Sequence, residues 1–443
     1  MMRKKLVSVL LTAAMCVSLT ACGGGGGSSS SGDSGDSGSS GGGSSSDALQ
    51  VVIWDNYQQP GIQEICDLFT EETGIKAKVE VKDWDSYWTL LEAGASGGDM
   101  PDVFWMHSNN SQIYMNNDML LNLDEYIEKS DVINMDNYMP EVTELYTHND
   151  SIYAIPKDYD TIALWYNKKM FDDEGLDYPD STWTWDDFYD AAKKLTHDGK
   201  YGFAMNTTNE QDSYYNMIYS MGGTILTDDK KSGYDDPNTL KAMDFVGKVL
   251  KDCCPSATTM AETNTDALIQ SGTVAMVTQG SWMVSGFKEN DVMTENCDVA
   301  ILPYDKETGV RASICNGLGW AAPANTDRAD DSWALIEWFG SEEMQKKQAE
   351  LGVTMSAFEG TSEAWVNCTD TFNLQPYLDI TEESKDEGVT NELILRPYTY
   401  NSTRWTEQAK VDLVPAWNDP SKMEETCKQF AKTMNDLIAS ESN

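Results

Sequence analysis

The spacing of apolar residues predicts alternating strands and helices at the start of the folded chain. Short, nearly continuous apolar runs predict buried strands at residues 49–54, 76–81 and 103–105. Apolar positions at helical spacing predict helices over about 62–73 and 85–95. This order of elements implies parallel strands joined by right-handed crossovers, which is an α/β fold.

The ends of these predicted strands are rich in aromatic and polar residues. In an open parallel sheet, a ligand binds beyond the carboxyl ends of the strands. Trp54, Trp84 and Trp105 lie at or just after such ends, and Ser108 and Asn109 follow closely. The pattern therefore predicts a ligand cleft with aromatic and polar walls.

The rest of the chain predicts a second α/β unit, which starts near residue 158. Thr184, followed by Asp186 and Asp187, predicts a helix N-terminus with acids in its first turn. Further predicted elements are strands at 163–167, 274–277 and 299–303, a buried helix at 333–339 and an amphipathic helix at about 422–439. The stretch from residue 47 onward is too long for one simple core, so two lobes are predicted.

The first 46 residues have the pattern of an exported and tethered protein. Three basic residues precede the apolar stretch 6–19, which is too short for a permanent transmembrane helix and is typical of a signal peptide. The residues around Cys22 resemble a bacterial lipobox, which implies cleavage after Ala21, lipidation of Cys22 and location on the outer face of the cell membrane. A chance cysteine after an ordinary signal peptide is the alternative. Residues 23–46 are Gly, Ser and two Asp only, a composition typical of a flexible tether.

The net charge argues against nucleic acid and anionic lipid as partners of the folded surface. The chain has 31 Lys and Arg against 73 Asp and Glu, a formal charge of −42. Nucleic-acid binding requires clustered basic side chains to neutralise phosphates, and binding to anionic lipid through the folded surface has the same requirement. The charge indicates a well-solvated exterior.

The cysteines do not form a metal-binding pattern. Seven remain beyond Cys22, scattered along the chain without the paired spacing of a zinc site. Cys66 lies on an apolar helix face and is predicted to be buried. An odd number cannot all pair within one chain, and we favour structural thiols over disulfides. Neither a metal nor a cofactor is expected.

Catalytic motifs are also missing from the sequence. The three histidines, His107, His148 and His197, are far apart, and no metalloprotease, nucleophile-elbow or phosphate-loop motif is present. A pair of carboxylates could still serve a glycosidase, which leaves a glycan-degrading enzyme as an alternative. Acids at this density more often form a solvated surface, so the chain is predicted not to be an enzyme.

The tryptophans indicate the chemistry of the guest. The chain has 14, and those predicted near the cleft are Trp54, Trp84, Trp105, Trp282 and Trp405. A sugar offers an apolar C–H face to an indole, while its hydroxyls bond to Asp, Asn and Gln side chains. Trp165, Trp333 and Trp338 are expected in the core. A cleft rich in these residues and without catalytic motifs is typical of a carbohydrate receptor.

Several short motifs resemble one family in their order and number. Residues 97–104 (Gly-Gly-Asp-Met-Pro-Asp-Val-Phe), 153–156 (Tyr-Ala-Ile-Pro) and 164–168 (Leu-Trp-Tyr-Asn-Lys) match its characteristic blocks. Residues 272–282 resemble its stacking-aromatic segment, and residues 299–303 resemble a crossing between its lobes. By these motifs the chain resembles the extracellular solute-binding proteins of sugar ABC importers, which include maltose-binding proteins.

The resemblance implies a two-lobe, periplasmic-binding-protein-like α/β fold of the class II type. Its hinge would have about three crossings, near residues 156, 303 and 356. The implied boundaries are 47–156 for the first part of the N-terminal lobe, 157–302 for the C-terminal lobe, 303–356 for the return to the N-terminal lobe and 357–443 for a helical region that completes both. The implied partners are a sugar and the transmembrane subunits of an ABC permease, with the receptor itself a monomer.

The resemblance also implies ligand-binding positions. Trp105 matches an aromatic residue that packs on the sugar, Ser108 and Asn109 match a polar pair after it, and Asp160 matches a hydroxyl acceptor near the hinge. The other matched positions are Gln58, Gln59, Asp212, Tyr214, Tyr215, Trp282 and Trp405. Uncharged polar residues stand where maltose binders have charges, which indicates a different hydroxyl pattern. An adhesion lipoprotein without a small ligand, and a receptor for amino acids, peptides or polyamines, are further alternatives.

Overall fold

The computed structural model describes residues 47–441. Cys22 and the predicted signal peptide and tether therefore lie outside the described residues. The strands, in chain order, are β1 (Ala48–Ile53), β2 (Lys76–Val81), β3 (Val103–His107), β4 (Thr147–His148), β5 (Ser151–Ile152), β6 (Ile155–Pro156), β7 (Ile162–Asn167), β8 (Tyr201–Phe203), β9 (Val274–Gly280), β10 (Cys297–Ala300), β11 (Val310–Cys315), β12 (Leu318–Ala321) and β13 (Thr390–Leu395).

The helices pack around these strands, and three short 3-10 turns (Met135–Asn137, Ser281–Met283 and Pro420–Lys422) lie among them. The α-helices are α1 (Gln59–Thr73), α2 (Trp84–Gly97), α3 (Ser108–Asn116), α4 (Asp124–Lys129), α5 (Pro140–Leu145), α6 (Lys168–Glu174), α7 (Trp185–Lys194), α8 (Tyr214–Ser220), α9 (Pro237–Cys253), α10 (Ala257–Glu262), α11 (Thr265–Gln270), α12 (Val284–Phe287), α13 (Asp291–Asn296), α14 (Ala329–Gly340), α15 (Glu342–Glu350), α16 (Ser362–Val366), α17 (Gln375–Asp379), α18 (Ser402–Asp412), α19 (Val414–Asn418) and α20 (Met423–Ser440).

Two mixed sheets form the centres of two lobes, which confirms the predicted fold class. The first sheet has the order β2-β1-β3-β12-β6, and its β1 strand pairs in parallel with both β2 and β3, as predicted. The second has the order β10-β7-β9-β8, with β7 antiparallel to both of its neighbours. Strand β12 pairs with β3, antiparallel to it, so the chain re-enters the first sheet after all four strands of the second have formed.

Local sequence signals set the helix ends. Gly74 ends α1 in the left-handed conformation with φ of 77°, which a residue without Cβ adopts without strain. Thr184 caps α7, and its side chain and that of Asp187 satisfy each other's backbone N–H groups in a capping box. The predicted N-terminus of this helix is therefore confirmed.

The predicted core positions are buried. Trp165 and Cys66 are fully buried and Trp333 is 8% exposed, while Trp338 is half-buried and donates from Nε1 to the Ile65 carbonyl at 3.2 Å. All seven cysteines within the described residues are free thiols.

The predicted lobe boundaries stay a prediction, and the packing favours moving one of them. Strand β11 pairs in parallel with β13, and its Ile314 N–H donates to the Asn216 side chain of α8 at 2.9 Å. Ile162 N–H of β7 donates to Ser313 Oγ at 2.8 Å. Because β11 packs against the second lobe, its contacts favour a crossing between Cys315 and Leu318 over the predicted one near residue 303.

Candidate functional site

A cavity of about 320 Å³ lies where loops from the two main sheets meet. Its walls come from the ends of β1 and β3, from the segments that link the sheets, from the loop before α8 and from one face of α18. The lining residues are Trp54, Asp55, Gln58, Trp84, His107, Asn109, Asp158, Asp160, Thr208, Asn209, Glu210, Gln211, Trp282, Asn316, Leu318, Thr354, Arg396, Thr406, Glu407 and Lys410. The cavity therefore lies beyond the carboxyl ends of β1 and β3, where the sequence predicted a cleft.

The structure brings six of the predicted binding residues into this lining: Trp54, Gln58, Trp84, Asn109, Asp160 and Trp282. Their contact with a ligand remains a prediction. Gln59 and Ser108 lie one residue away from lining positions but do not line the cavity. Gln59 begins α1, and Ser108 is 2% exposed at the start of α3.

An aromatic cluster forms the wall on the side of the first sheet. The Trp54 ring meets the Trp84 ring edge-on, with centroids 5.1 Å apart, and Trp84 keeps 40% of its surface exposed. The His107 ring lies 5.5 Å from Trp84 and 6.2 Å from Trp54. Trp282 stands in the wall on the side of the second sheet. Its indole lies against Gly280, where a Cβ would come within 2.0 Å of the ring.

The prediction that Trp105 lines the cleft is wrong. Strand β3 continues through His107, so Trp105 lies inside the strand and is fully buried. Its ring packs between Trp54, at 4.9 Å, and Trp320, at 6.0 Å, and Lys157 Nζ lies 4.4 Å from its centroid. Residues two and four positions further on, His107 and Asn109, reach the cavity instead.

Asp212, Tyr214 and Tyr215 also lie outside the lining, which corrects a second prediction. All three are buried, and the two tyrosine hydroxyls bond to the Tyr234 hydroxyl at 3.0 and 3.3 Å. Asp212 Oδ2 accepts from Asn209 Nδ2 at 3.3 Å. The segment was correctly predicted, but its cavity residues are 208–211, one turn earlier.

Trp405 is fully buried on the inner face of α18, so its predicted contact with the cleft is wrong as well. Its Nε1 donates to Thr399 Oγ1 at 2.9 Å. The next residue, Thr406, lines the cavity together with Glu407 and Lys410. Successive residues of a helix point about 100° apart. A prediction that finds the right segment but is off by one residue therefore selects a side chain on the buried face.

Asp160 and Asn316 form the polar centre of the site. Asp160 Oδ1 accepts from the Asn316 N–H at 3.1 Å and from Gln211 Nε2 at 2.6 Å. Asn316 is buried, and one atom of its side-chain amide has no hydrogen-bond partner in the described part of the chain. Burial, with the nearby Asp158 carboxylate, raises the pKa of Asp160 to about 8.

His107 is held as a neutral hydrogen-bonding group. Burial, with the Arg396 charge nearby, lowers the pKa of His107 well below its ordinary value. Its Nδ1 accepts from the Asn109 N–H at 3.1 Å, and its Nε2 lies 3.0 Å from the Asn316 side chain. No local pattern pointed to this role, because Asn316, the partner of Nε2, lies 209 residues further along the chain.

Lys157 ties the first loop to a segment that links the sheets. Its Nζ bonds to the Asp158 carboxylate and donates to Gln58 Oε1 at 3.1 Å. Gln58 Nε2 in turn donates to Asp55 Oδ2 at 3.0 Å. These contacts fix the side chains of Gln58 and Asp55 at the cavity wall.

A buried ion pair completes the opposite wall. Arg396 follows β13, Glu210 precedes α8, and each is 6% exposed. Arg396 donates to Glu210 Oε1. Removing one partner of such a pair would leave the other charge buried without compensation.

Comparison with known protein families agrees with this arrangement. The family model described as bacterial extracellular solute-binding protein matches residues 53–346, more than half of the chain. The chain belongs to this family.

Curated relatives of this solute-binding protein are distant. The galactooligosaccharide-binding protein of Bacillus subtilis (strain 168) is 25% identical over 298 residues, which cover 65% of this chain and 65% of that protein. The maltotriose-binding protein of Pyrococcus abyssi is 24% identical over 319 residues, which cover 68% and 65%. The match thus spans just under two thirds of each relative's length.

A solved structure supports the fold of this solute-binding protein. An ABC substrate-binding protein from Listeria monocytogenes, in complex with cycloalternan, superposes with a TM-score of 0.79 at 19% identity. The match covers 88% of this chain and 99% of that one. No helix within residues 47–441 is long and apolar enough to cross a membrane, and no group of acidic, His and Cys side chains in that range could hold a metal ion.

Replacing Asp212 with asparagine is expected to weaken the pH dependence of stability. Burial raises the pKa of Asp212 well above its ordinary value, so in the pH range above that ordinary value the folded protein holds a proton that the unfolded chain releases. This contribution favours folding at low pH and is lost as the pH rises. The melting temperature of the variant should therefore fall less than that of the wild type over this range. The exposed control Asp229→Asn should behave like the wild type. An equal change of melting temperature with pH in all three proteins would contradict the prediction.

Proposed function

We propose that this chain captures a sugar or oligosaccharide outside the cell and delivers it to the membrane permease of an ABC importer. The observation that carries the proposal is one cavity whose walls combine indole rings with unsatisfied and partly satisfied polar groups. Trp54, Trp84 and Trp282 supply the rings, and Asp160 and Asn316 supply the polar groups.

This combination suits the two-sided chemistry of a saccharide. The C–H face of a pyranose ring covers the indole of Trp282, which removes apolar surface from water. Its hydroxyls bond to the Asp160 carboxyl and to the side-chain amide of Asn316, one atom of which otherwise has no partner within the described residues. A purely apolar ligand would leave that amide atom buried and unpaired.

Contacts around the cavity support a clamp in which both lobes hold the guest. The Tyr57 ring lies against Gly286, where a Cβ would come within 3.1 Å of it. Ser285 Oγ donates to the Gly352 carbonyl at 2.8 Å, and Thr403 Oγ1 donates to the Asn109 carbonyl at 3.3 Å. Only a closed form lets both walls contact one ligand, so binding shifts the population toward it.

Relatives that are named for sugars, or that hold one in a solved structure, support the same substrate class. The two curated relatives are named for galactooligosaccharide and maltotriose, and the solved structure holds cycloalternan. All three ligands are built of neutral sugars. In this proposal the chain itself catalyses no reaction and acts as a monomer, and the permease subunits form its protein partner.

A panel of mono- and oligosaccharides tests the proposal. Thermal shift and calorimetry on the purified protein should find at least one saccharide that raises the melting temperature and binds with one-to-one stoichiometry. Chromatography of the same mixtures should recover the saccharide intact. Retention of no saccharide would refute the function, and steady release of smaller sugars would replace it with the glycan-degrading alternative.

We further propose that Cys22 carries the lipid that holds the receptor at the outer face of the membrane. Acyl chains on one residue raise the local concentration of a receptor near its permease. In bacterial cells grown with an alkyne-tagged fatty acid, the wild-type protein should become labelled and sediment with membranes. The Cys22→Ser variant should be unlabelled. Equal labelling of both proteins would contradict the assignment.

A further inference from the structure

We infer that the cavity selects neutral saccharides over anionic ones, such as uronic acids and sugar phosphates, and that Asp160 is a specificity-determining residue for this choice. The inference rests on the proposed function and narrows its substrate class. It follows from how each charged side chain at the cavity is paired.

The basic side chains of the lining are already engaged. Arg396 is paired with Glu210, and both are buried. Lys410 Nζ lies 2.6 Å from Glu407 Oε1, and both residues line the cavity. An anionic ligand would have to share these cations with Glu210 and Glu407, and its negative group would lie beside their carboxylates.

Lys157 and His107, which lie at or near the cavity, do not add an unpaired positive charge. Lys157 lies behind the lining, and its Nζ is bonded to Asp158 and Gln58. His107 is uncharged, because burial lowers its pKa well below the ordinary value. Within the described residues, the lining therefore offers no unpaired positive charge to a phosphate or carboxylate.

Two acidic side chains of the lining have no cationic partner in the part of the chain that the structure describes. The bonds that Asp160 accepts come from the Asn316 N–H and Gln211 Nε2, and both reach Oδ1. Asp55 accepts from the Tyr57 N–H at 2.7 Å and from Gln58 Nε2. A negative group on the guest would lie beside these carboxyls without compensation.

Asn316 adds a second polar group that suits a hydroxyl, which can both donate and accept. It is 1% exposed and lines the cavity, and one atom of its side-chain amide has no partner among the described residues. An ionised carboxylate or phosphate offers only acceptors, whereas a sugar hydroxyl can also donate to Asp160. At a pH where Asp160 is ionised, the acceptors of an anionic ligand would therefore face another acceptor.

The test compares neutral sugars with their acidic counterparts. The probes are galactose, galacturonate and galactose 6-phosphate, the corresponding glucose set, and the neutral saccharide retained from the panel with its uronic acid form. Burial and the Asp158 charge raise the pKa of Asp160 to about 8, and the charges of Lys157 and Arg396 also act on the carboxyl. Titrations at about pH 9 therefore keep its carboxyl ionised, and physiological salt screens the net charge of the whole surface.

We expect each retained neutral sugar to bind about 100-fold more tightly than its acidic counterpart. Asp160→Asn keeps the side-chain shape but adds an N–H donor, so it should lower this ratio by about tenfold or more. The exposed control Asp229→Asn removes one charge away from the cavity lining and should leave the ratio unchanged. A melting curve checks that each variant is folded. The ratio of neutral to acidic affinity in the wild type tests the inference even if a variant does not fold.

The outcomes separate the two proposals. An acidic sugar that binds as tightly as its neutral counterpart, or an unchanged ratio in folded Asp160→Asn, overturns this inference and leaves the saccharide function intact. Retention of no saccharide of either kind refutes the proposed function itself, and the inference fails with it.

Discussion

Replacing Trp105 with alanine is expected to lower the free energy of unfolding by about 3 to 5 kcal/mol, the range for deleting a large buried aromatic side chain. Trp105 is fully buried and packs between Trp54 and Trp320 in the core of the first lobe. Truncation leaves a cavity that this β-sheet core cannot easily fill, and it removes the ring over which Lys157 Nζ lies. Any loss of ligand affinity would follow from this disruption rather than from a lost contact with the ligand.

Chemical denaturation of the wild type and of Trp105→Ala measures the effect. Trp84→Ala is the matched control, because Trp84 is 40% exposed at the cavity and its removal should cost much less stability. A Trp105→Ala variant as stable as the wild type would show that the residue is not part of the core.

Replacing Trp282 with alanine is expected to weaken saccharide binding by about 1 to 3 kcal/mol, or roughly 5- to 150-fold. The indole lines the cavity and is half-buried, and Gly280 supports it from the strand that leads to it. The ring therefore has a fixed position without help from a ligand, and its contribution does not require further ordering. Truncation removes an apolar plate from one wall.

Calorimetry with the retained saccharide measures this affinity. Tyr178→Ala, which removes a partly exposed aromatic side chain that does not line the cavity, serves as the control and should bind normally. Unchanged affinity in a folded Trp282→Ala variant would remove this residue from the site.

The position of the cleft could be predicted because it depends on local signals. Continuous apolar runs marked β1, β2 and β3, and their parallel order directed attention to the loops after them. The exact residues were harder to predict, because a strand buried on both faces shows no alternation that marks its end. Strand β3 runs two residues beyond the apolar run, so His107 occupies the place expected for Trp105.

The far wall of the cavity depends on contacts between distant parts of the chain. Arg396 reaches the cavity because β13 pairs with β11, although about 80 residues separate the two strands along the chain. Strand β13 is only half-buried, so its sequence lacks the strong apolar run of β1. Nothing in the local pattern links Arg396 to Glu210. Such pairings are set by tertiary packing and leave little trace in one sequence.

The central claim is that this cavity holds a neutral saccharide between indole rings and buried polar groups. A structure determined with the retained saccharide bound tests it most directly. The account predicts a sugar ring with its C–H face on Trp282 and hydroxyls within about 3 Å of Asp160 and Asn316. A saccharide bound elsewhere on the protein, with this cavity filled only by water, would contradict it.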